Sequence, residues 1–232
     1  MRNAQTFATW ASLAEVPAAL PSTTRVVLLR GTGPDFSAGL DLRMLKPGGL
    51  GFEGAFADLV GQDDAGIELQ IAGFQQAFTC WRALDAVVIA VVQGRAIGAG
   101  FQLALAADLR VLAEDAVLQM AEVRLGLVPD LGGTQRLLEL IGYPTALELC
   151  GTGRAVGAAE AHRLGLANHV VAAADLEQTT DELVASILSM PAAAVRSVKK
   201  LLAVVPPRTP VAQLVAERAA QVRLLSGIAA AG

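Results

Sequence analysis

The chain has 232 residues, 53% of them hydrophobic, which is enough to bury one sizeable core and makes a single domain the expectation. A formal net charge of -4, with Lys and Arg scattered apart from the pair Lys199-Lys200, offers no basic surface for nucleic acid. The longest apolar run, Ala86 to Val92, is far short of a membrane span and no signal-type apolar block opens the chain, so a cytoplasmic protein is expected.

In chain order, Thr6 to Leu20 reads as a helix ending near Pro21, and Val26 to Leu29 as a parallel-type strand. A glycine turn follows, Gly31-Thr32-Gly33-Pro34-Asp35-Phe36-Ser37-Ala38-Gly39-Leu40-Asp41. The stretch from Lys46 to Gly66 is rich in glycine and acid and predicts a flexible loop able to gate a cleft. Ile67 to Leu84 reads as a helix, Val87 to Val92 as a buried strand and Ala99 to Ala106 as a helix, with short strands near Leu109 to Leu112 and Val117 to Met120. Past Gly132 the pattern is almost all helical, with breaks at Gly142, Gly151 to Gly157, Pro191 and Pro206-Pro207 and a short strand at His169 to Val171. This order predicts one α/β core followed by a helical C-terminal layer. Cys80 and Cys150 sit in apolar helical contexts, which predicts buried, inert thiols and neither a disulfide scaffold nor a metal cluster.

The segment Ala96-Ile97-Gly98-Ala99-Gly100-Phe101-Gln102 is the most telling, because it runs from a buried strand into an apolar helix. Backbone N–H groups at Ala99 and Gly100 are expected to face a cleft at the helix N-terminus, where they would stabilise a developing negative oxygen. Three stretches occur in order: Ala-Gly-Leu-Asp at 38–41, Ile-Gly-Ala-Gly-Phe-Gln at 97–102, and Glu122-Val123-Arg124-Leu125-Gly126-Leu127-Val128-Pro129-Asp130-Leu131-Gly132-Gly133-Thr134-Gln135-Arg136-Leu137. Together they resemble the crotonase superfamily, the enoyl-CoA hydratase/isomerase group, over nearly the whole chain.

That resemblance implies a crotonase-like spiral of ββα units, with an acyl-CoA site in a core over 1–190 and a helical part over 191–232 that contacts other subunits in a trimer or dimer of trimers. The apolar stripe Val211, Leu214, Val215, Ala219, Val222 and Leu225 would serve as core or as interface. The first strand pair that the family places before a segment like Arg2-Asn3-Ala4 has no counterpart, which points to a late start codon or a lost sheet edge.

For the chemistry, the resemblance implies that backbone N–H groups of Leu40 and Ala99 receive the oxygen of a thioester enolate. Ala38, Gly39, Asp41, Gly98, Gly100 and Gln102 would contact the substrate. Hydratase members place one glutamate in the helix after the second turn and another ahead of the third motif; here the first position is Gln102 and the second Glu122. Glutamine cannot exchange a proton near neutral pH, though it can hold a water or a carbonyl, so Glu122 becomes the first candidate acid or base. Asp130 stands where dienoyl-CoA isomerases carry a second acid; alternatively it caps the helix beginning near Gly133. The two glycine turns alone would also be compatible with tight packing, and Glu122 alone with a solvated loop acid.

Other readings are poorer. Neither Gly31-Thr-Gly33 nor Gly98-Ala-Gly100 has the third glycine of a dinucleotide fingerprint, and Ser37 lacks the leading glycine of a nucleophile elbow. His162 and His169 read as structural, Arg136 as an ion-pair residue and Lys199-Lys200 as a solvated helix face. No metal or redox cofactor is implied, CoA being part of the substrate. Three functions follow: an isomerase working through Glu122, a hydratase of altered mechanism in which Gln102 orients the water, and a non-catalytic acyl-CoA-binding protein.

Overall fold

The computed structural model describes residues 2–46, 50 and 63–203. Helix α1 (Phe7–Ala19) is followed by strand β1 (Val26–Arg30), helix α2 (Asp64–Ala83), strands β2 (Val87–Val92) and β3 (Arg95–Ile97), and helix α3 (Ala99–Ala106). Then come β4 (Leu109–Ala113), β5 (Val117–Gln119), α4 (Gly133–Thr152), β6 (Ala155–Gly157), α5 (Ala158–Leu164), β7 (His169–Val171), α6 (Leu176–Ser189) and α7 (Ala192–Leu202).

The strands form two sheets. One is wholly parallel in the order β1-β2-β4-β7, with Leu29 opposite Ala90 and Val91 opposite Val111. The other has the order β3-β5-β6, its last strand antiparallel. Strand β2 is buried at all six positions, as a central parallel strand covered on both faces requires. Its alternate residues serve different layers: Val88, Ala90 and Val92 pack with Trp10, Phe78, Trp81 and Phe101, whereas Val87, Ile89 and Val91 pack towards Leu176, Leu183 and Ile187 of α6. Helices α1 and α2 join through aromatic contacts, with Phe7 stacked on Phe74 at 4.4 Å between ring centroids.

The expected order of elements agrees with this architecture, apart from two strands. β3 lies between Gly94 and Gly98, and β6 falls within the glycine-marked break at 151–157, so both segments read as turns. The expected break at Gly142 is a kink within α4, where φ is 70°. Lys199 departs from the solvated face expected for it: its ammonium lies 2.7 Å from both the Asp108 carboxylate and the Ala86 carbonyl, with a side chain 9% exposed. Lys200 reaches the surface acid Asp85. Arg136 does pair, with Glu139 at 2.5 Å, and His162 Nδ1 lies 3.1 Å from the Ala167 carbonyl oxygen. Cys80 and Cys150 are free and half-buried rather than fully buried. The glycine-rich stretch read as a gating loop falls mostly outside the described residues, and the stripe from Val211 to Leu225 falls wholly outside them.

Residues 2–5 brace the first glycine turn. The Asn3 amide donates to the carbonyls of Thr32, Asp35 and Phe36, and Gln5 exchanges backbone hydrogen bonds with Gly39 and Asp41. Beneath the turn the Gln5 amide donates to Ser37 Oγ at 3.0 Å and accepts from the Trp10 indole at 2.8 Å, while Ser37 Oγ accepts from the Gly39 N–H at 3.1 Å.

Candidate active site

Two turns distant in sequence meet because the first is zipped to β3. Ser37 N–H donates to the Arg95 carbonyl and Ile97 N–H to the Ser37 carbonyl, which lays 37–39 alongside 95–98. Gly39 makes the close approach possible: its φ is 81°, and a Cβ there would sit 2.3 Å from the Ile97 carbonyl oxygen and 3.5 Å from Ala99 N. Ala99 opens α3 after Gly98, which has φ 52° and supplies no side-chain cap. The N–H groups of Leu40 and Ala99 therefore lie on adjoining turns, and among the described residues neither has an acceptor outside its own element.

A cavity of about 610 Å³ opens over them. Ala38, Gly39, Leu40, Gly98, Ala99, Gln102, Glu122 and Asp130 line it, and Leu42, Leu45, Ile67, Ile71, Leu125 and Val128 supply apolar walls. Gly100 and Asp41 lie outside that lining. Gly100 instead lets α3 press on the first turn, since a Cβ there would meet the Ser37 carbonyl oxygen at 2.6 Å. Asp41 caps the short 3-10 turn Leu42–Leu45 and binds Arg43, whose guanidinium holds its carboxyl down to about 2.

Glu122 begins a 3-10 turn and lines the cavity. Its Oε1 accepts from Gln102 Nε2 at 2.8 Å, and its Oε2, enclosed by protein, has no hydrogen-bond partner among the described residues. Burial pushes the carboxyl above the ordinary range, opposed by the Glu122 backbone N–H and the Gln102 hydrogen bond, while the nearby Asp130 charge adds to the rise. Asp130 is raised too, again by burial. It does not cap α4: the cap position is Gly132, with no side-chain hydrogen bond, and what Asp130 offers its neighbours is its carbonyl, to the Gln75 amide at 2.7 Å.

Gln102 is 2% exposed and tightly bonded. Its amide oxygen accepts from Leu131 N–H at 3.0 Å and Gly133 N–H at 3.1 Å, so both lone pairs are used and none is left to receive a water. Two contributors escaped the sequence reading. Gly133 must be glycine for this contact, because a Cβ would lie 2.7 Å from Gln102 Cγ; the Gly132-Gly133 doublet was its only signal. Gln5, whose signal was merely a polar residue ahead of an apolar helix, is 3% exposed and supports the first turn through Ser37.

A family model described as enoyl-CoA hydratase/isomerase matches residues 3–228. The chain belongs to the enoyl-CoA hydratase/isomerase family. A Bacillus subtilis (strain 168) protein assigned as the enoyl-CoA hydratase/isomerase YngF is 40% identical over 179 residues, 77% of this chain and 64% of the relative. The carnitinyl-CoA dehydratase of Escherichia coli (strain K12) is 38% identical over 178 residues, 76% of this chain and 62% of the relative. The matched stretch thus spans less than two thirds of either curated relative. A crystal structure of a Thermobifida fusca YX protein assigned as an enoyl-CoA hydratase, in complex with acetoacetyl-CoA, superposes with TM-score 0.92 at 46% identity, covering 97% of this chain and 88% of that one.

This structure thus places two backbone donors, one half-buried carboxyl whose Oε2 has no partner among the described residues, and a second raised carboxyl around one apolar cavity. Such a set can hold a developing oxyanion and move a proton beside it. Among the described residues no cluster of His, Cys, Asp and Glu is arranged to hold a metal, and no helix is long and apolar enough to cross a membrane.

Proposed function

We propose that this protein is an acyl-CoA enzyme that shifts a carbon–carbon double bond through a thioester enolate. The observation that carries the reading is Glu122 Oε2, enclosed and without a hydrogen-bond partner among the described residues, in the same cavity as the Leu40 and Ala99 N–H groups. Oε2 takes the proton at the carbon next to the thioester carbonyl of a 3-enoyl chain. The C–H electron pair moves onto the thioester oxygen, which the two N–H groups receive, and the double bond moves into conjugation as a proton returns at the far end of the allylic system. Nothing is oxidised or reduced and no water is consumed, so the chemistry requires no cofactor beyond the CoA of the substrate. The apolar wall of Leu42, Leu45, Ile67 and Ile71 suits an acyl chain. The relatives' names and the acetoacetyl-CoA bound by the Thermobifida fusca protein support the ligand class.

Asp130 supports a longer-range variant of the same reaction, since a second raised carboxyl in the cavity could return the proton further along a conjugated dienoyl chain. Incubation with 2-enoyl-, 3-enoyl- and 3,5-dienoyl-CoA separates the possibilities by following double-bond position and water addition. Double-bond migration without hydration is expected. Hydration of the 2-enoyl thioester as the main reaction would overturn the proposal, and binding of all three without turnover would make the protein a carrier.

A further inference from the structure

The orientation of the Gln102 amide is decided by its surroundings. Leu131 N–H and Gly133 N–H can only donate, so the atom 3.0 and 3.1 Å from them is the oxygen, and the amino group is left facing Glu122 Oε1 at 2.8 Å. The amide cannot turn over without setting N–H against N–H at one end and oxygen against carboxylate at the other. Gly133 keeps the space for this contact, and at Gly98 a Cβ would lie 3.3 Å from Glu122 Oε1, so glycines flank both partners.

We infer that Gln102 is a positioning residue for Glu122: it occupies Oε1 with a fixed N–H donor, leaves Oε2 as the single oxygen that exchanges a proton, and favours the charged carboxylate in the resting site. The inference rests on the functional reading above only where it concerns turnover; the hydrogen bond and its effect on charge belong to the resting protein. A donor to a carboxylate favours the ionised form, whereas a carboxyl in the same place would share a proton with Glu122. Among the described residues, the charged or titratable groups that face Glu122 are Asp130 ahead of α4, whose charge opposes ionisation, and Cys150 on α4, whose thiol is itself raised by burial and by the Glu122 charge. Arg124, on the same turn as Glu122, is tied to the Gly153 carbonyl at 3.1 Å.

The test uses the whole chain labelled with 13C at the glutamate side-chain carboxyls, the Glu122 resonance being the one lost in Glu122→Gln. Two variants remove the donor differently. Gln102→Met deletes the amide without adding charge, and Gln102→Glu puts a carboxyl in its place while keeping an acceptor for Leu131 and Gly133, so it is expected to fold even if the first does not. In both, the midpoint of the Glu122 titration should move upward. In Gln102→Glu the acid limb of kcat/KM for the responsive thioester should move with it, while KM changes less than kcat. A Glu122 midpoint unmoved in a folded Gln102→Met, or unmoved in Gln102→Glu, overturns the inference. A parent inactive towards every thioester, with the midpoint still moved in Gln102→Met, overturns the functional reading and supports the role of Gln102.

Discussion

Glu122 combines two properties at odds with stability: its carboxyl is partly shielded from water, and its Oε2 has no hydrogen-bond partner among the described residues. Burial raises it in the folded protein above its value in the unfolded chain, so the folded state binds more protons between the two. The stability this lends is fully present below the usual carboxylate range and is lost as pH rises through the raised value. Glu122→Gln cannot ionise and should melt higher than the parent at neutral pH, by ~2–4 °C for each kcal/mol relieved. The gap should close as pH falls through the carboxylate range. The same variant should lose ~10²–10⁴ in turnover with thioester affinity nearly unchanged, because the ground state does not need the proton transfer. Calorimetry across pH and initial rates check the two halves. Asp130→Asn separates two roles. Since Gly132 holds the cap position of α4, the variant should not show the ~1 kcal/mol loss of a missing cap, and lowered dienoyl turnover without a lowered melting temperature is expected, any shift being upward because burial also raises Asp130.

At the scale of elements, the site depends on two short attachments. The segment 37–39 is held to β3 by backbone bonds and to residues 3–5 by the Gln5 and Ser37 side chains, which brings the Leu40 N–H beside Ala99. On the far side of the parallel sheet, α7 is tied to the core by Lys199, which is bonded to Asp108 while Asp108 also accepts from the Val88 N–H at 2.8 Å. Lys199→Ala removes a charge-assisted contact and leaves a half-enclosed carboxylate with one partner fewer. A loss of ~2 kcal/mol in denaturant unfolding is expected, with the dependence on denaturant unchanged. A loss confined to a few tenths would show that α7 packs well enough without its anchor.

For the molecule as a whole, one cavity collects residues from the first turn, α2, α3, the Glu122 turn and the approach to α4. A ligand filling it would bind the folded chain and not the unfolded one. An acyl-CoA at a hundred times its dissociation constant should therefore add ~2.7 kcal/mol and raise the melting temperature, whereas NAD at the same concentration should not. A shift with NAD equal to that with the thioester would contradict the acyl-CoA site.

The elements were legible from the sequence wherever their signal is local. The unbroken apolar run of β2 marks a strand covered on both faces, and Ala99 to Ala106 is bounded by glycine on one side and a strand on the other. The three ordered motifs carried the resemblance to the family that the full-length match then established. β3 and β6 were not legible, because the glycines around them (Gly94, Gly98, Gly153 and Gly157) read as turns and the segments exist as strands only through partners elsewhere in the chain. The same limit applies to the site. Sequence determined that position 102 carries an amide and position 122 a carboxyl; only the tertiary structure decided that the amide oxygen is consumed by two backbone N–H groups, that its nitrogen faces Glu122, and that Asp130 is released from capping. Residue type fixes which donors and acceptors exist, but which of them meet depends on chain segments brought together by packing.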